Sequence, residues 1–417
     1  MTMAEPINVQ AGDAPGKVRP FRRTVFYIPG YDPIPPRRYR ELYRKEGAAQ
    51  AALSGYALRL LPKQSGATYG WHVQGEIDGA RAEVDFEVLV WSDIVRSSMD
   101  QGIAATYLQL LRTAWVYVGS GALFRLMRLR KGPMIAALYP VGMLVAQLAL
   151  ALLAGWGFGA LVSVLLPVAA GWLAGAALVV GLLRWFRRLD HRFYAYYLMH
   201  DYAFTAGAGG ANPPALERRM AEFGVRIRAA LTQDCDEVLV VGHSSGAHLA
   251  VSILADLVRA GLPEPRPALG FLSLGQVVPM VSFLPHAQRL RGDLRDLSAR
   301  REVTWVDVTA PGDGCAFALC DPVAVTGVAP EAKLWPLVIS AAFTRTLSPA
   351  RWKELRWRFF RLHFQYLCAF DALTGGPHDY DYFRITAGAQ TLADRYSGRA
   401  PSKSRIERAV SGHRTLP

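Results

Sequence analysis

Residues 237–249 read Glu-Val-Leu-Val-Val-Gly-His-Ser-Ser-Gly-Ala-His-Leu. Residues 238–241 are four consecutive apolar residues, a run typical of a short buried strand. From Ala247 onward apolar residues recur at helical spacing. Between the two lies a G-x-S-x-G pentapeptide, residues 242–246, with Ser244 at its centre. A strand, a tight turn and a helix in this order predict a nucleophile elbow.

The two glycines of the pentapeptide, Gly242 and Gly246, have a steric role in such a turn. A side chain at either position is expected to collide with the neighbouring strand or helix. The helix that begins after the turn leaves free N–H groups at its amino end, beside Ser244. These groups can stabilise a developing negative charge, so the turn suits a serine nucleophile.

A second feature is the distribution of charge along the chain. Residues 132–183 contain no Asp, Glu, Lys or Arg. One membrane-spanning helix needs about 20 apolar residues, so this run is long enough for two. It divides at the glycine-rich residues 155–159, which predicts spans at about 134–154 and 160–183. The alternative is a buried helical hairpin in the core of a soluble protein.

Both flanks of this run are basic. The positive-inside rule then places both ends in the cytoplasm and predicts a two-span membrane protein. Residues 103–129 read as a mostly apolar helix along the membrane surface. The flanking basic residues are Arg125, Arg128, Arg130 and Lys131 before the run, and Arg184, Arg187, Arg188 and Arg192 after it.

Composition narrows the function classes. The chain has 417 residues and a formal net charge of +13. This charge could indicate nucleic-acid binding, but no nucleic-acid-binding motif is present, and membrane lipids are the better partner for basic residues beside an apolar run. The four cysteines have neither paired nor metal-ligand spacing. We therefore expect no metal, no cofactor and no nucleic-acid partner.

Apolar runs that alternate with helical patterns indicate an α/β protein with a mostly parallel sheet and helices on both faces. The expected organisation is a disordered N-terminus (1–20), a first part of the catalytic domain (21–102), a membrane segment (103–192), a second part of the catalytic domain (193–395) and a disordered basic tail (396–417). Strands are expected at 24–28, 56–61, 69–74, 82–90, 238–241, 269–274 and 303–308, and helices at 37–54, 214–232 and 285–299.

A serine nucleophile needs an acid that orients a histidine base, and in the order typical of this elbow the acid precedes the histidine. Asp313 lies in the turn after the strand at 303–308, where the acid is expected. Its alternative role is that of an ordinary Asp-Gly turn residue. Asp307 within the strand and Asp321 further along are weaker candidates.

Two histidines follow Asp313 in the region expected to be ordered. His378 lies in a Gly-Gly-Pro-His loop, which suits a catalytic residue. His363 lies among aromatic residues at helical spacing and could be a packed core residue. His243 and His248 flank the elbow but precede Asp313, so they are expected to pack or bond locally.

An oxyanion needs two backbone N–H donors. The first belongs to Ser245, the residue after the nucleophile. The second is expected from Tyr31, since the Pro-Gly-Tyr turn follows the first strand and Gly30 allows close approach of the backbone. Otherwise this turn merely starts a helix.

Together, these segments resemble the α/β-hydrolase superfamily, and more narrowly the bacterial membrane-associated α/β-hydrolase-like proteins of unassigned substrate. The resemblance covers about two-thirds of the chain, and the apolar hairpin departs from the superfamily pattern. In it the H-x-Q-Y segment is the recurrent histidine motif, which favours His363 over His378. The matching segments are 28–33, 242–246, 306–313, 363–367 and 380–383.

The resemblance and the residues together imply a membrane-anchored serine hydrolase of the esterase or lipase type, in a bacterial inner membrane with its catalytic domain in the cytoplasm. Ser244 would attack an acyl ester, His363 would act as base and Asp313 would orient it. A membrane tether favours an amphiphilic ester substrate. The alternatives are an acyltransferase or thioesterase with the same triad, and a membrane scaffold that keeps the fold without the chemistry.

Overall fold

The computed structural model describes residues 19–63, 68–376 and 379–417. Its centre is an eight-stranded sheet in the order β2-β3-β4-β1-β5-β6-β7-β8. Strands β2, β3 and β4 pair antiparallel with one another, and every other neighbouring pair is parallel. The strands are β1 (Phe21–Ile28), β2 (Ala57–Pro62), β3 (Gly70–Ile77), β4 (Ala80–Val88), β5 (Glu237–His243), β6 (Ala268–Leu274), β7 (Thr304–Thr309) and β8 (Leu337–Ser340).

Helices cover both faces of the sheet, so the expected mostly parallel α/β architecture is confirmed at this level. They are α1 (Arg37–Ser54), α2 (Ser92–Met99), α3 (Ile103–Gly119), α4 (Ala122–Met127), α5 (Lys131–Leu165), α6 (Val168–Arg188), α7 (Asp190–Phe193), α8 (Ala195–Ala206), α9 (Pro214–Ala230), α10 (Ser245–Arg259), α11 (Val278–Ser282), α12 (Gln288–Ser298), α13 (Pro322–Thr326), α14 (Phe343–Thr346), α15 (Pro349–Leu355), α16 (Phe359–His363), α17 (Tyr382–Ala387) and α18 (Leu392–Arg395). A 3₁₀ turn, Phe364–Leu367, follows α16.

The alternation of side chains along the strands creates the two halves of the core. In β5, Leu239 and Val241 pack on one face, together with residues of α1 and of the C-terminal helices. Val238 and Val240 pack on the opposite face against α9, α10 and α12. All seven residues of β5 are buried, as expected for a central parallel strand with helices on both sides.

Helices α5 and α6 are both long and apolar enough to cross a membrane. Only 17% of the most apolar stretch of α5 and 11% of that of α6 is buried inside the protein, so these are not core helices of the ordinary kind. Large side chains on them face outward, among them Trp156, Leu165 and Trp172.

The position of the turn between these helices differs from the expectation. Residues 155–159 were expected to separate the spans, but α5 continues through them and the chain turns at Leu166 and Pro167. The glycines instead allow the helices to touch. A Cβ atom on Gly155 would lie 2.8 Å from the Gly175 carbonyl oxygen, and one on Gly159 would lie 2.8 Å from that of Gly171. Small residues four apart on each helix therefore make a close helix–helix contact.

The first turns of α5 pack against the rest of the protein. Met134 packs with α4 and with residues after β6, while Leu144 packs with α3 and α8. The helix expected over residues 103–129 is divided into α3 and α4, because Gly121 adopts a left-handed conformation with φ of 69°. The base of the apolar hairpin is thus joined to the sheet domain by packed side chains.

Residues 396–417, expected to be disordered, are instead held against the domain. Ile406 forms a bridge with Cys320, and its N–H donates to the Leu319 carbonyl oxygen at 2.7 Å. The Arg291 side chain, fully buried, donates to the Thr415 carbonyl oxygen at 2.8 Å. The prediction of disorder from the basic composition was wrong, because the tail is anchored through its backbone groups, and composition does not reveal such contacts.

A buried ion pair joins the amino ends of β1 and β5. Arg23 Nε donates to Glu237 Oε2 at 2.6 Å, and both side chains are almost wholly buried. The Arg23 guanidinium also donates to the carbonyl oxygens of Thr386, Gly388 and Gln390. It thereby fixes the segment between α17 and α18 to the sheet.

Arg23→Met is expected to lower the free energy of unfolding by about 3–5 kcal/mol, because it leaves the Glu237 carboxylate buried without its partner. Chemical denaturation in detergent solution measures this loss. The double variant with Glu237→Leu removes both charges and should recover most of the stability. A double variant as unstable as Arg23→Met would contradict this explanation.

Candidate active site

The candidate site lies at the carboxyl edge of the sheet, where β1 and β5 are neighbours. From β1 the chain continues to the β2–β4 side of the sheet, whereas from β5 it continues towards β8. Adjacent parallel strands whose connections leave in opposite directions open a crevice at their carboxyl ends. The turn after β1 and the turn after β5 face this crevice.

Ser244 occupies the turn after β5 in a rare backbone conformation, with φ of 57° and ψ of −122°. Its N–H donates to the Leu274 carbonyl oxygen at 2.9 Å. A residue other than glycine at positive φ is strained, and such strain is concentrated at functional sites. The side chain is half-buried.

The two elbow glycines fit the steric expectation. A Cβ atom on Gly242 would lie 2.7 Å from the Gly246 carbonyl oxygen. One on Gly246 would collide with the carbonyl oxygen of Ile28, the last residue of β1. The predicted collisions with a neighbouring helix and strand are therefore confirmed.

Asp313 and His363 form a buried pair. His363 Nδ1 lies 2.7 Å from Asp313 Oδ2, although the residues are 50 positions apart. Asp313 follows β7 and His363 ends α16, so the sheet edge and a later helix bring the two together. With Nδ1 donating to the carboxylate, Nε2 is left as the basic nitrogen of the ring.

Further donors stabilise the Asp313 carboxylate. The Cys315 N–H donates to Oδ1 at 2.9 Å, and the Tyr366 hydroxyl donates to Oδ2 at 3.0 Å. Burial by itself would raise the pKa of Asp313, but His363 and these hydrogen bonds outweigh it and hold the pKa below its ordinary value. The carboxylate is therefore ionised at neutral pH and able to hold the imidazole in one orientation.

Ser244 and His363 line one cavity. Within the described residues no hydrogen bond joins Ser244 Oγ to the His363 ring, which is hydrogen-bonded to Asp313. Catalytic hydrogen bonds are often longer in proteins without substrate than in their complexes. The alternative histidine, His378, lies outside the described residues.

Of the two histidines beside the elbow, His243 has a local hydrogen bond. His243 is buried, and its Nε2–H donates to the His363 backbone carbonyl oxygen at 3.0 Å. Burial, aided by His363, lowers the pKa of His243 to about 3, and burial lowers that of His248 to about 4. Both rings are neutral at pH 7, and His243 supports the backbone that carries His363.

The two expected oxyanion donors face the same cavity. Tyr31 and Ser245 both line it, and in the described part of the chain neither N–H donates to a backbone acceptor. Gly30 permits the approach, since a Cβ atom there would lie 3.0 Å from Ser244 Cβ. The Tyr31 hydroxyl is engaged with Ser98 Oγ at 2.6 Å.

The cavity has a volume of about 820 Å³ and connects the elbow with the base of the apolar hairpin. Most of its wall is apolar or aromatic, and three arginines also line it. The wall residues from α5 are Gly132, Pro133, Ile135, Ala136 and Tyr139, those from the segment after β8 include Trp357, Phe359, Phe360 and Phe364, and the arginines are Arg192, Arg358 and Arg361.

Ligand atoms of Asp313, Cys315 and His363 lie within 4.8 Å of one another, a spacing that could suit a metal ion. The hydrogen bond between Asp313 and His363 already accounts for their proximity. Burial raises the pKa of the Cys315 thiol well above its ordinary value, so the thiol is protonated and a poor metal ligand. We interpret the cluster as part of the hydrogen-bonded pair.

The two weaker acid candidates do not contact the histidine. Asp307 accepts a hydrogen bond from Ser273 Oγ at 2.5 Å within the sheet. Asp321 caps α13 and pairs with Lys333 at 2.6 Å.

Sequence reasoning missed two residues of the site. Asp201 of α8 lines the cavity, and its signal was an acidic side chain on an otherwise aromatic segment. Gly275 has a φ of 55° and lies against His363, since a Cβ atom there would be 3.1 Å from His363 Cε1. A glycine directly after a strand was its only signal.

No model of a known protein family matches this chain, no curated protein is significantly similar to it, and no solved structure matches it.

Proposed function

We propose that the protein is a membrane-associated serine hydrolase that cleaves an acyl ester. The observation that carries this proposal is the combination of the strained Ser244 turn and the Asp313–His363 pair on one cavity. A nucleophile on a strained turn, a histidine and a buried carboxylate fill the roles of a hydrolytic triad. The proposed fold is that of the α/β-hydrolases, with the apolar hairpin placed between β4 and β5.

In the proposed reaction, Ser244 Oγ attacks the acyl carbonyl carbon while His363 Nε2 accepts the hydroxyl proton. Asp313 stabilises the imidazolium through Nδ1–H. The N–H groups of Tyr31 and Ser245 bind the oxyanion. His363 then gives its proton to the leaving alcohol, and a water molecule, activated by the same ring, releases the acid.

The walls of the cavity support an amphiphilic substrate. An apolar cavity of about 820 Å³ is within the range of sites that bind drug-sized molecules. Ile135, Ala136 and Tyr139 of α5 suit an acyl chain, and Arg192, Arg358 and Arg361 suit polar or anionic groups at the water interface. A substrate from the bilayer would reach Ser244 along the base of the hairpin.

The proposed location is the cytoplasmic face of a bacterial inner membrane. Helix α6 ends in Arg187 and Arg188, and Arg130 and Lys131 stand where α5 begins. Basic residues at both ends of a two-span hairpin favour the cytoplasmic side for both ends. Membrane lipids are then the expected partners.

An active-site serine probe tests the catalytic proposal. A fluorophosphonate should label the purified protein at Ser244, and mass spectrometry of the labelled peptide locates the site. No label on a protein with an intact fold would favour a scaffold without chemistry, and label on another serine would contradict the assignment of Ser244. Labelling at Ser244 with acyl transfer to an added alcohol faster than to water would identify an acyltransferase.

Extraction of membranes at alkaline pH should leave the full-length protein in the pellet, because α5 and α6 would be embedded in lipid. A variant in which a Gly/Ser linker replaces residues 148–179, and which keeps Leu144 and its contacts with α3 and α8, should appear in the supernatant. That variant keeps the α5 residues that line the cavity, so retained fluorophosphonate labelling shows that it is folded. Release of the full-length protein by carbonate would contradict membrane insertion.

A further inference from the structure

Asp201 is a carboxylate of the cavity that the proposed reaction does not use. It lies on α8, is half-buried, and lines the cavity together with Ser244 and His363. It also lines a small adjoining pocket of about 20 Å³, which it shares with Ser245 and His248. That volume holds about one water molecule or one hydroxyl group.

No described residue donates a hydrogen bond to the Asp201 carboxylate or forms an ion pair with it. Two aromatic hydroxyls of residues that line the cavity are engaged elsewhere: the Tyr31 hydroxyl bonds Ser98, and the Tyr197 hydroxyl donates to the Tyr31 carbonyl oxygen at 2.5 Å. His248 Nδ1, in the same small pocket, also lacks a partner in the described part of the chain. Polar groups in such a place are normally hydrogen-bonded, so these two groups have unused capacity for a ligand.

Burial raises the pKa of Asp201 to about 7, and the adjacent His363 opposes the rise. A hydrogen-bond donor from a ligand would stabilise the ionised form and compensate for the lost hydration. The hydrocarbon chain of a substrate has no such donor. Of the two parts of an ester, the alcohol portion on the other side of the scissile bond is the part that can carry such a donor.

We propose that Asp201 is a specificity residue that accepts a hydrogen bond from a hydroxyl or ammonium group on the alcohol portion of the substrate. The preferred substrates are then acyl esters of polyols or amino alcohols rather than of simple alcohols. This inference rests on the proposed ester hydrolysis, and its binding test is independent of turnover.

Three esters of one long-chain acid separate the possibilities: the glycerol monoester, the ethanolamine ester and the methyl ester. The wild-type protein should show about 10- to 100-fold higher kcat/KM for an ester that carries the donor than for the methyl ester, which is the usual range for a hydrogen bond to a charged group. Preference for the glycerol ester identifies a hydroxyl ligand, and preference for the ethanolamine ester identifies an ammonium ligand.

Asp201→Leu should abolish this preference with either ligand, whereas Asp201→Asn should abolish a preference for the ammonium and retain part of one for the hydroxyl. Thr205→Val is the matched control, since Thr205 lies one turn later on α8 and lines both spaces. It should keep the wild-type preference.

Binding is measured separately in Ser244→Ala protein with two non-hydrolysable ethers, 1-O-dodecylglycerol and dodecyl methyl ether, through the change in intrinsic tryptophan fluorescence, to which Trp357 in the cavity wall contributes. For a hydroxyl ligand, the glycerol ether should bind more tightly, and Asp201→Leu should remove the difference. An ammonium ligand is tested with 2-dodecyloxyethylamine in place of the glycerol ether.

Serine-dependent hydrolysis without any preference for the donor esters would overturn the role of Asp201 and leave the proposed function intact. A binding preference that depends on Asp201, in a protein whose wild type hydrolyses no ester, would overturn the proposed function and leave the recognition site. Loss of preference in Thr205→Val to the same extent as in Asp201→Leu would also overturn the inference.

Discussion

Ser244→Ala is expected to lower kcat/KM for ester hydrolysis by about four to six orders of magnitude, the range found when a triad nucleophile is removed. The loss arises because the methyl group cannot attack the acyl carbon, while the cavity and the donors for the oxyanion remain. Hydrolysis of a p-nitrophenyl ester by purified protein measures it, with fluorophosphonate labelling as a second readout.

Ser245→Ala is the matched control for this variant. Ser245 contributes its backbone N–H to the proposed oxyanion site, and alanine keeps that group, so activity should change by less than about tenfold. Equal losses in Ser244→Ala and Ser245→Ala, or no loss in Ser244→Ala, would contradict the assignment of the nucleophile.

A comparison of Ser244→Ala with Ser244→Gly tests the strain of the turn. At φ of 57° a glycine is relaxed and an alanine is not. The strain is of the order of 1–3 kcal/mol, and the greater freedom of glycine in the unfolded chain offsets part of it. The free energy of unfolding of Ser244→Gly should therefore exceed that of Ser244→Ala by about 1 kcal/mol. Both variants should be inactive.

The elbow was predictable because its determinants are local. Four apolar residues, two glycines and a following helical pattern are all contained in residues 237–249. The strands 24–28 and 303–308 were also found, within a few residues of β1 and β7, because buried strands have few polar side chains. The order of the strands in the sheet could not be predicted in this way, because it depends on contacts between residues that are far apart in the sequence.

The features that sequence reasoning missed depend on distant partners. Glycines 155 and 159 read as a turn, and only the close approach of α6 reveals them as contact residues. Strand β8 has four residues, too few for a period to be recognised. The C-terminal tail is fixed by backbone hydrogen bonds, which composition does not encode.

The acid and the histidine differ in the same way: the acid could be predicted from local sequence, and the histidine could not. Asp313 could be located from the turn after a strand, since that position is common to sites at the carboxyl edge of a parallel sheet. His363 could not be chosen from its own neighbours, because its aromatic helix resembles a core helix. The preference for it came from a resemblance, and the 2.7 Å contact with Asp313 is the first physical support.

Asp313→Asn is expected to lower kcat by about four orders of magnitude, which is the effect of the same change in a serine protease triad. The amide cannot accept the Nδ1–H bond as a carboxylate does, and it can donate to Nδ1 instead. The ring would then carry its proton on Nε2, the nitrogen that must accept a proton from Ser244. Steady-state hydrolysis of a soluble ester measures the loss.

Asp307→Asn is the matched control, because Asp307 is also a buried acid associated with β7 and lies six positions earlier. Burial raises the pKa of Asp307 to about 8, so its side chain is largely neutral at pH 7, and replacement by a neutral amide changes no charge near the site. Its hydrogen bond is with Ser273, away from His363. It should keep activity within about tenfold of wild type, as expected for a residue outside the triad.

If Asp307→Asn lost activity as severely as Asp313→Asn, the loss would reflect distortion of β7, and Asp313 would have no distinct role as the orienting acid. Activity retained in Asp313→Asn would contradict the role of Asp313 as the orienting acid.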